Sequence, residues 1–237
     1  MLLLSRSFAL AALLAAAAVH AQPLDYGHQD QWKAVHDAAE SPINIETAKI
    51  HAGDARESQR IHILHPKAEM EVVDNGHAIE VESKGPEAVI RGRHFKLAQF
   101  HFHATSEHTI DGKFFPMEGH FVFSAADGRV AVIGVMYRQG AANALAAKIL
   151  EQIDKKPSHK AFSASISALL PHDMAYYHYL GSLTTPPLTE NVEWYVLRQP
   201  VTLSDEQIEA FKARYSHNNR SVQPLNERPI VTYPAPR

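Results

Sequence analysis

The sequence predicts one mostly β domain with a few short peripheral helices. Between about residues 60 and 137, short runs alternate apolar and polar residues with period 2, as expected for strands. Turn signals separate these runs, and Asp74-Asn75-Gly76 and Asp127-Gly128 predict tight hairpins. No internal repeat or low-complexity linker interrupts the chain after its first 21 residues, which favours a single domain. The predicted strands are "IHIL", "EMEVVD", "HAIEVES", "AVIRGRHFKLAQFHFH", "GHFVFSA" and "RVAVIGVMYR".

Helical patterns are few. Residues 143–153 place apolar side chains at helical spacing, and residues 204–215 open with Ser204 and Gln207 at capping-box spacing. The stretch "FSASISALL" at 162–170 predicts a weaker helix. Residues 22–47 read as mostly irregular, because Ser41-Pro42 disfavours helix there.

The composition indicates a soluble globular protein. The 237 residues are 45% hydrophobic and 21% charged, with a formal net charge of −3. A chain of this length buries a sizeable core without a disulfide, and it contains no cysteine. Nothing in the charge pattern indicates a nucleic-acid partner.

The first 21 residues predict a secretory signal peptide. Arg6 supplies the positive start, residues 8–19 form an apolar run, and Val19-His20-Ala21 resembles a cleavage site. The alternative, a membrane anchor, is disfavoured because a span needs roughly 20 apolar residues. We therefore expect residues 22–237 to form one domain that lies free in the periplasm or medium, without a membrane attachment.

Three histidines predict a metal site. His101 and His103 share one face of a strand, and His120 lies on a neighbouring predicted strand. If the two strands pair with these faces together, three imidazoles converge. Three neutral imidazoles suit zinc and leave a fourth position open, which is typical of a catalytic site.

Two polar residues are in phase with these histidines. Gln99 and Glu118 each precede a candidate ligand by two residues, so each can accept a hydrogen bond from its outer nitrogen. The alternative is a solvated row of surface histidines. His108 is out of phase, which predicts that it caps or bridges inside the fold. The remaining histidines read as surface or structural, for example His28, His36, His62 and His159.

A cupin is a competing metal fold. "HFHATSE" fits the cupin pattern, with Glu107 as a fourth ligand. The flanking residues argue against it, because Phe95 stands where a cupin has glycine, Gly112 comes too early, and "FFPMEGH" lacks the expected turn.

The segment "YLGSLTTPPLTENVEWYVL", with "QFHFHATSEHT", "EGHFVF", "SPINI" and "NNRSVQPLNER", resembles the α-class carbonic anhydrases over about residues 26–228. The resemblance implies a large twisted, mainly antiparallel central sheet. It also implies an enzyme that hydrates CO2 reversibly to bicarbonate and a proton, in which zinc-bound hydroxide attacks CO2. One Zn²⁺ per chain is implied at His101, His103 and His120.

The resemblance further assigns roles to individual residues. Thr184 accepts a hydrogen bond from the hydroxide and donates to Glu107, which is then an orienting carboxylate. His77 shuttles the proton. The apolar CO2 wall is Val122, Val132 and Leu183, with Thr184 and Thr185 at its polar edge. The residues implied to support ligands or order water are Gln99, Glu118, Asn218, Tyr26 and Asn75. A cis peptide bond is implied before Pro186.

Two departures from the family pattern stand out. Ala104 follows the second ligand, where Trp is common, which predicts looser packing behind the metal. Leu188 stands where many bacterial members have a disulfide cysteine. The resemblance implies inhibition by sulfonamides and anions. A homodimer is compatible with the family, although the sequence identifies no dimer interface. The two alternative functions are a non-catalytic binding module on this fold and a periplasmic zinc store.

Overall fold

The structure is a computed structural model that describes residues 24–34, 38–52, 60–153 and 160–234. The predicted signal peptide, residues 1–21, lies outside the described residues. The mostly β prediction is confirmed. None of the helices in these ranges is both long and apolar enough to cross a membrane.

Within the described ranges the chain forms short and long strands, two α-helices and three 3-10 helices. The strands are β1 Asn44–Ile45, β2 His51–Ala52, β3 Ile61–Ile63, β4 Lys67–Asp74, β5 Ile79–Lys84, β6 Glu87–Ile90, β7 Arg93–His103, β8 Thr109–Ile110, β9 Met117–Ser124, β10 Val130–Gln139, β11 Phe162–Ser165, β12 Tyr176–Ser182, β13 Glu190–Leu197, β14 Val201–Leu203 and β15 Val231–Tyr233. The α-helices are α1 Ala144–Ile153 and α2 Asp205–Arg214, and the 3-10 helices are Tyr26–Gln31, Thr47–Lys49 and Ile166–Leu169.

One large mixed sheet dominates the molecule. Its main path is β11-β4-β5-β7-β9-β10-β13-β12-β15-β2, and β3, β6 and β14 attach beside it. Most neighbours are antiparallel, but β10 pairs with β13 and with β14 in parallel, as does β15 with β2. The parallel β10–β13 pair brings a late part of the chain beside the central hairpin of β9 and β10.

Most local predictions agree with the structure. The two predicted hairpins join β4 to β5 and β9 to β10, and Ser204 and Gln207 form the predicted capping box of α2. The run 88–103 is not one strand. Arg91 and Gly92, both with positive φ, turn the chain so that β6 pairs antiparallel with β7.

The weak helix prediction at 162–170 is wrong for its first half. Residues Phe162–Ser165 form β11, an edge strand that pairs with β4, and only Ile166–Leu169 forms a 3-10 helix. Ser163 and Ser165 are exposed while Phe162 and Ala164 are half-buried. This period-2 alternation fits an edge strand, and strand pairing outweighs the weak helical pattern.

The two faces of the central strands serve different purposes. Phe100 and Phe102 of β7 point into the large core beneath α2, where the rings of Phe102 and Phe211 lie 4.7 Å apart. A bulge between Leu97 and Gln99 shifts the register of β7 against β9. Because the bulge adds one residue, Leu97 stays buried while Gln99 and the histidines after it turn to the opposite face.

Candidate metal centre

Strand pairing brings the three predicted histidines together. His101 of β7 lies directly opposite His120 of β9, and His103 lies opposite Glu118. Residues that are directly opposite each other in an antiparallel pair share a face. One ring nitrogen from each of His101, His103 and His120 lies within 4.8 Å of the others. This spacing is what three ligands around a single ion require.

Each imidazole is held through its other nitrogen. Nδ1 of His101 lies 2.8 Å from Oε1 of Gln99, and Nε2 of His120 lies 2.9 Å from Oε1 of Glu118. Nδ1 of His103 lies 2.7 Å from the backbone oxygen of Asn218. Because these three partners are acceptors, each outer nitrogen carries the proton and each inner nitrogen keeps its lone pair.

The inner nitrogens fit a metal ion. Nε2 of His103 is buried and has no hydrogen-bond partner among the described residues. A buried nitrogen lone pair without a partner is costly unless something else binds it. Burial also lowers the pKa of all three imidazoles, that of His103 to about 4. They are therefore neutral at physiological pH, which is the form that binds zinc.

Glu118 anchors the centre from behind. Its Oε1 accepts from His120 and from His108, and its Oε2 accepts the backbone N–H groups of Glu107 and His108 at 2.9 and 2.8 Å. Burial raises the pKa of Glu118, but His108 and His120 outweigh it, so the pKa lies well below its usual range. Glu118 is thus a fully buried, ionised carboxylate that holds several groups at once.

His108 forms a bridge inside the fold, as its sequence position predicts. Its Nδ1 bonds to Glu118, and its Nε2 lies 2.7 Å from the Tyr179 hydroxyl, which in turn bonds to Ser41. His108, Glu118 and His120 also lie close enough to hold an ion. Their facing atoms are already used in hydrogen bonds, so this second group fits a metal poorly.

Glu107 is the other buried carboxylate of the site. Its Oε1 accepts the Arg220 N–H at 2.6 Å, and its Oε2 lies 3.9 Å from Nδ1 of His120. Burial outweighs the lowering effects of His120, Arg220 and the nearby Thr184 side chain, so the pKa of Glu107 is raised to about 7. No hydrogen bond of normal geometry reaches Oε2 from the described residues. The Thr184 side chain is therefore close to this carboxylate without closing a short bond.

An apolar wall adjoins the histidines. Val132 is buried, and Val122 and Leu183 pack partly buried against the same second core, while Thr185 is half-buried beside it. Trp194 was missed in the sequence. It lies opposite Val132, and its ring centroid is 4.8 Å from that of His120. The alternation of Val192, Trp194 and Val196 in "NVEWYVL" is the signal that could have identified it.

Of the predicted proton-transfer residues, Asn75 and His77 lie in the turn after β4, and Tyr26 begins the first 3-10 helix. His77 is half-buried, and burial lowers its pKa below the usual value. Asn75 accepts the His77 N–H through Oδ1 at 3.1 Å. The buried hydroxyl of Tyr26 has no partner among the described residues, and burial together with the charge of Glu107 raises its pKa.

Residues 218–220, called the clasp below, join three parts of the site. The Asn218 side chain accepts the Ala104 N–H at 2.9 Å and donates to the backbone oxygens of His77 and Phe102 at 3.1 and 3.0 Å. Arg220, also missed in the sequence, donates its N–H to Glu107. Its guanidinium pairs with Glu40 at 2.5 Å and donates to the Ser41 oxygen at 2.7 Å.

The departures from the family pattern have visible consequences. Ala104 is buried beside a cavity of about 10 Å³ that His103 and Phe102 also line, so the packing behind the histidines is slightly open. Such a volume holds about one water molecule. Leu188 is buried and the chain has no cysteine. The cis peptide bond joins Pro186 to Pro187, one residue later than expected.

The fold and the cluster define a β-sheet protein built around a three-histidine metal centre. Comparisons with known protein families identify the family within this class. The family model described as eukaryotic-type carbonic anhydrase matches residues 27–234. A carbonic anhydrase from Pectobacterium carotovorum is 43% identical over 197 residues, which is 81% of this chain and 79% of that protein.

Similar solved structures belong to the same family. The α-carbonic anhydrase of Photobacterium profundum superposes with a TM-score of 0.76 at 34% identity, covering 83% of this chain and 90% of that one. The α-carbonic anhydrase from Thermovibrio ammonificans, in complex with sulfanilamide, gives a TM-score of 0.74 at 38% identity over 82% and 87% of the two chains. This chain therefore belongs to the eukaryotic-type, or α-class, carbonic anhydrases, which are zinc-dependent enzymes whose general reaction is CO2 hydration.

Membership of this family also corrects the cupin alternative. In a cupin Glu107 would be a fourth ligand, but the group of converging ligand atoms contains only the three histidines. Glu107 is instead engaged by the Arg220 backbone.

Proposed function

We propose that the chain hydrates CO2 reversibly with one zinc ion held by His101, His103 and His120. The observation that carries the proposal is the set of three imidazoles, of which those of His103 and His120 are buried and that of His101 is half-buried. Their outer nitrogens are all bonded and their inner nitrogens converge. Zinc bound there supplies a Lewis acid that makes water nucleophilic near neutral pH, and carbonic anhydrase is the standard example of this effect.

The surrounding residues prepare the other reactant. Val122, Val132 and Leu183 offer a dry apolar surface, which suits an uncharged linear molecule such as CO2. Thr184 lies next to Glu107, and an ionised carboxylate accepts hydrogen bonds but cannot donate one. Thr184 therefore donates to Glu107 and turns its own lone pairs toward the reacting oxygen, which orients that oxygen for attack.

His77 removes the proton in this proposal. It lies half-buried, and burial lowers its pKa, which keeps the imidazole in the neutral form that can accept a proton and favours release of that proton afterwards. Asn75 and Tyr26 line the path between His77 and the centre and order water there.

The decisive experiment is stopped-flow CO2 hydration by the purified protein before and after removal of metal with a chelator. We expect activity that disappears on chelation and returns with one equivalent of zinc per chain. Several tightly held zinc ions per chain would favour the storage alternative. One bound zinc without hydration would favour the binding module.

Replacing His77 with alanine should separate proton transfer from the zinc chemistry. Among the described residues, the hydrogen bonds of His77 to Asn75 and Asn218 use its backbone and none joins its side chain to a ligand, so zinc content and kcat/KM should stay close to those of the wild type. The kcat in a bulky buffer should fall, because regeneration of the nucleophile lacks its proton acceptor, and added imidazole should restore much of the rate. Stopped-flow hydration measures all three quantities.

The matched control is His94→Ala, which removes an exposed histidine of β7. It should leave kcat unchanged. A His77→Ala variant with wild-type kcat would retire the shuttle assignment while the zinc assignment stands.

We also propose that the protein is exported and that sulfonamides and small anions inhibit it. Residues 1–21 have the three regions of a signal peptide, so protein recovered from the periplasm or medium should begin at Gln22 by N-terminal sequencing. Sulfonamide binding is supported by the Thermovibrio ammonificans relative in complex with sulfanilamide.

A further inference from the structure

A carboxylate that the proposed mechanism does not use lies beside the centre. Glu80 of β5 is directly opposite His101 of β7 in the antiparallel pair. Directly opposite residues share a face, so Glu80 points to the same side of the sheet as the metal ligands. Its side chain is half-buried there.

The carboxylate of Glu80 binds one side-chain amide. Nδ2 of Asn75 donates to Oε2 of Glu80 at 3.0 Å. The other end of the same amide, Oδ1, accepts the N–H groups of His77 at 3.1 Å and Ala78 at 2.8 Å. Because an ionised carboxylate only accepts hydrogen bonds, Glu80 requires Asn75 to present its nitrogen, which leaves the oxygen for the two backbone donors.

This arrangement grips the backbone of His77 on both sides. Its N–H is held by Asn75, and its carbonyl oxygen is held by Nδ2 of Asn218 at 3.1 Å. Without Glu80 the Asn75 NH2 group loses its acceptor, and the amide is held only through its oxygen by the two backbone N–H groups. The amide then moves more freely, which weakens both bonds to the turn.

We propose that Glu80 is a positioning residue for proton transfer. It orients the Asn75 amide, the amide fixes the turn that carries His77, and the turn directs the imidazole toward the three-histidine centre. The inference rests on the proposed function, since it assigns Glu80 a purpose only if His77 carries the proton.

The test uses the zinc-loaded protein and three variants. In Glu80→Ala we expect kcat in a bulky buffer to fall about threefold to tenfold, which corresponds to the loss of one hydrogen bond, with kcat/KM and zinc content unchanged. Glu80→Gln keeps an acceptor oxygen and should restore most of the kcat. Glu82→Ala removes an exposed carboxylate from the same face of the same strand and should leave kcat at the wild-type value.

A second measurement does not depend on activity. Amide hydrogen exchange of His77 and Ala78, followed by NMR, should become faster in Glu80→Ala and stay slow in Glu80→Gln and Glu82→Ala. A lower kcat without faster exchange would overturn the positioning role, and so would faster exchange with wild-type kcat.

His77→Ala, measured alongside, identifies which assignment has failed. A wild-type kcat in His77→Ala would overturn the shuttle, and this inference with it. A reduced kcat in His77→Ala together with a wild-type kcat in Glu80→Ala would overturn the role of Glu80 alone.

Discussion

Replacing His101 with alanine should leave the protein folded and nearly free of zinc. Changes to the partners of metal ligands alone cost about 10- to 100-fold in affinity, so loss of a ligand should cost more than about 100-fold. CO2 hydration should fall to the uncatalysed rate. The fold should persist because His101 lies on the face of β7 that carries the metal ligands, whereas the large core is built from the opposite face.

Zinc per chain after dialysis, measured by mass spectrometry, tests this expectation together with circular dichroism. His94→Ala is the matched control, since it removes an exposed histidine from the same strand. Full zinc occupancy in a folded His101→Ala variant would show that the ion is held elsewhere.

Glu118→Ala should be the most destabilising single change in the site. It leaves two ring N–H groups and two backbone N–H groups without their buried acceptor. Removal of one partner from a buried charged network costs about 3–5 kcal/mol of unfolding free energy. For a domain of this size the melting temperature should fall by roughly 6–20 °C.

Gln99→Ala is the informative comparison. Gln99 supports His101 as Glu118 supports His120, but it is half-buried and makes a single bond to the imidazole. Its loss should cost only about 0.5–1.5 kcal/mol of stability, while zinc affinity still falls about 10- to 100-fold. If calorimetry found equal melting temperatures for the two variants, the anchoring role of Glu118 would be wrong.

The residues of the site that lie on one strand were predictable from the period-2 pattern of the sequence. Side chains two residues apart on a strand share a face, so Gln99, His101 and His103 could be grouped before any fold was known. The turn at Arg91 and Gly92 was not predicted. Strands β6 and β7 both alternate apolar and polar residues, and the two patterns adjoin in the sequence as one continuous run.

The part of the site that depends on long-range pairing was not predictable from pattern. Trp194 reaches His120 only because β13 pairs in parallel with β10. Arg220 and Glu107 are 113 residues apart, and their contact depends on how the clasp crosses the finished sheet. Asn218 was identified only through the family resemblance, because neither spacing nor composition links it to His103.

The clasp also bears on the order of events during biosynthesis. All three histidines leave the ribosome long before residues 218–220, and Asn218 is 115 residues beyond the His103 that it orients. Contacts across such separations form late, because a large loop must close first. A nascent chain thus contains its three ligand histidines before it contains Asn218, which orients one of them. High-affinity metal binding therefore requires the completed polypeptide. Truncation ahead of the clasp would yield a chain that retains every ligand yet lacks an ordered site.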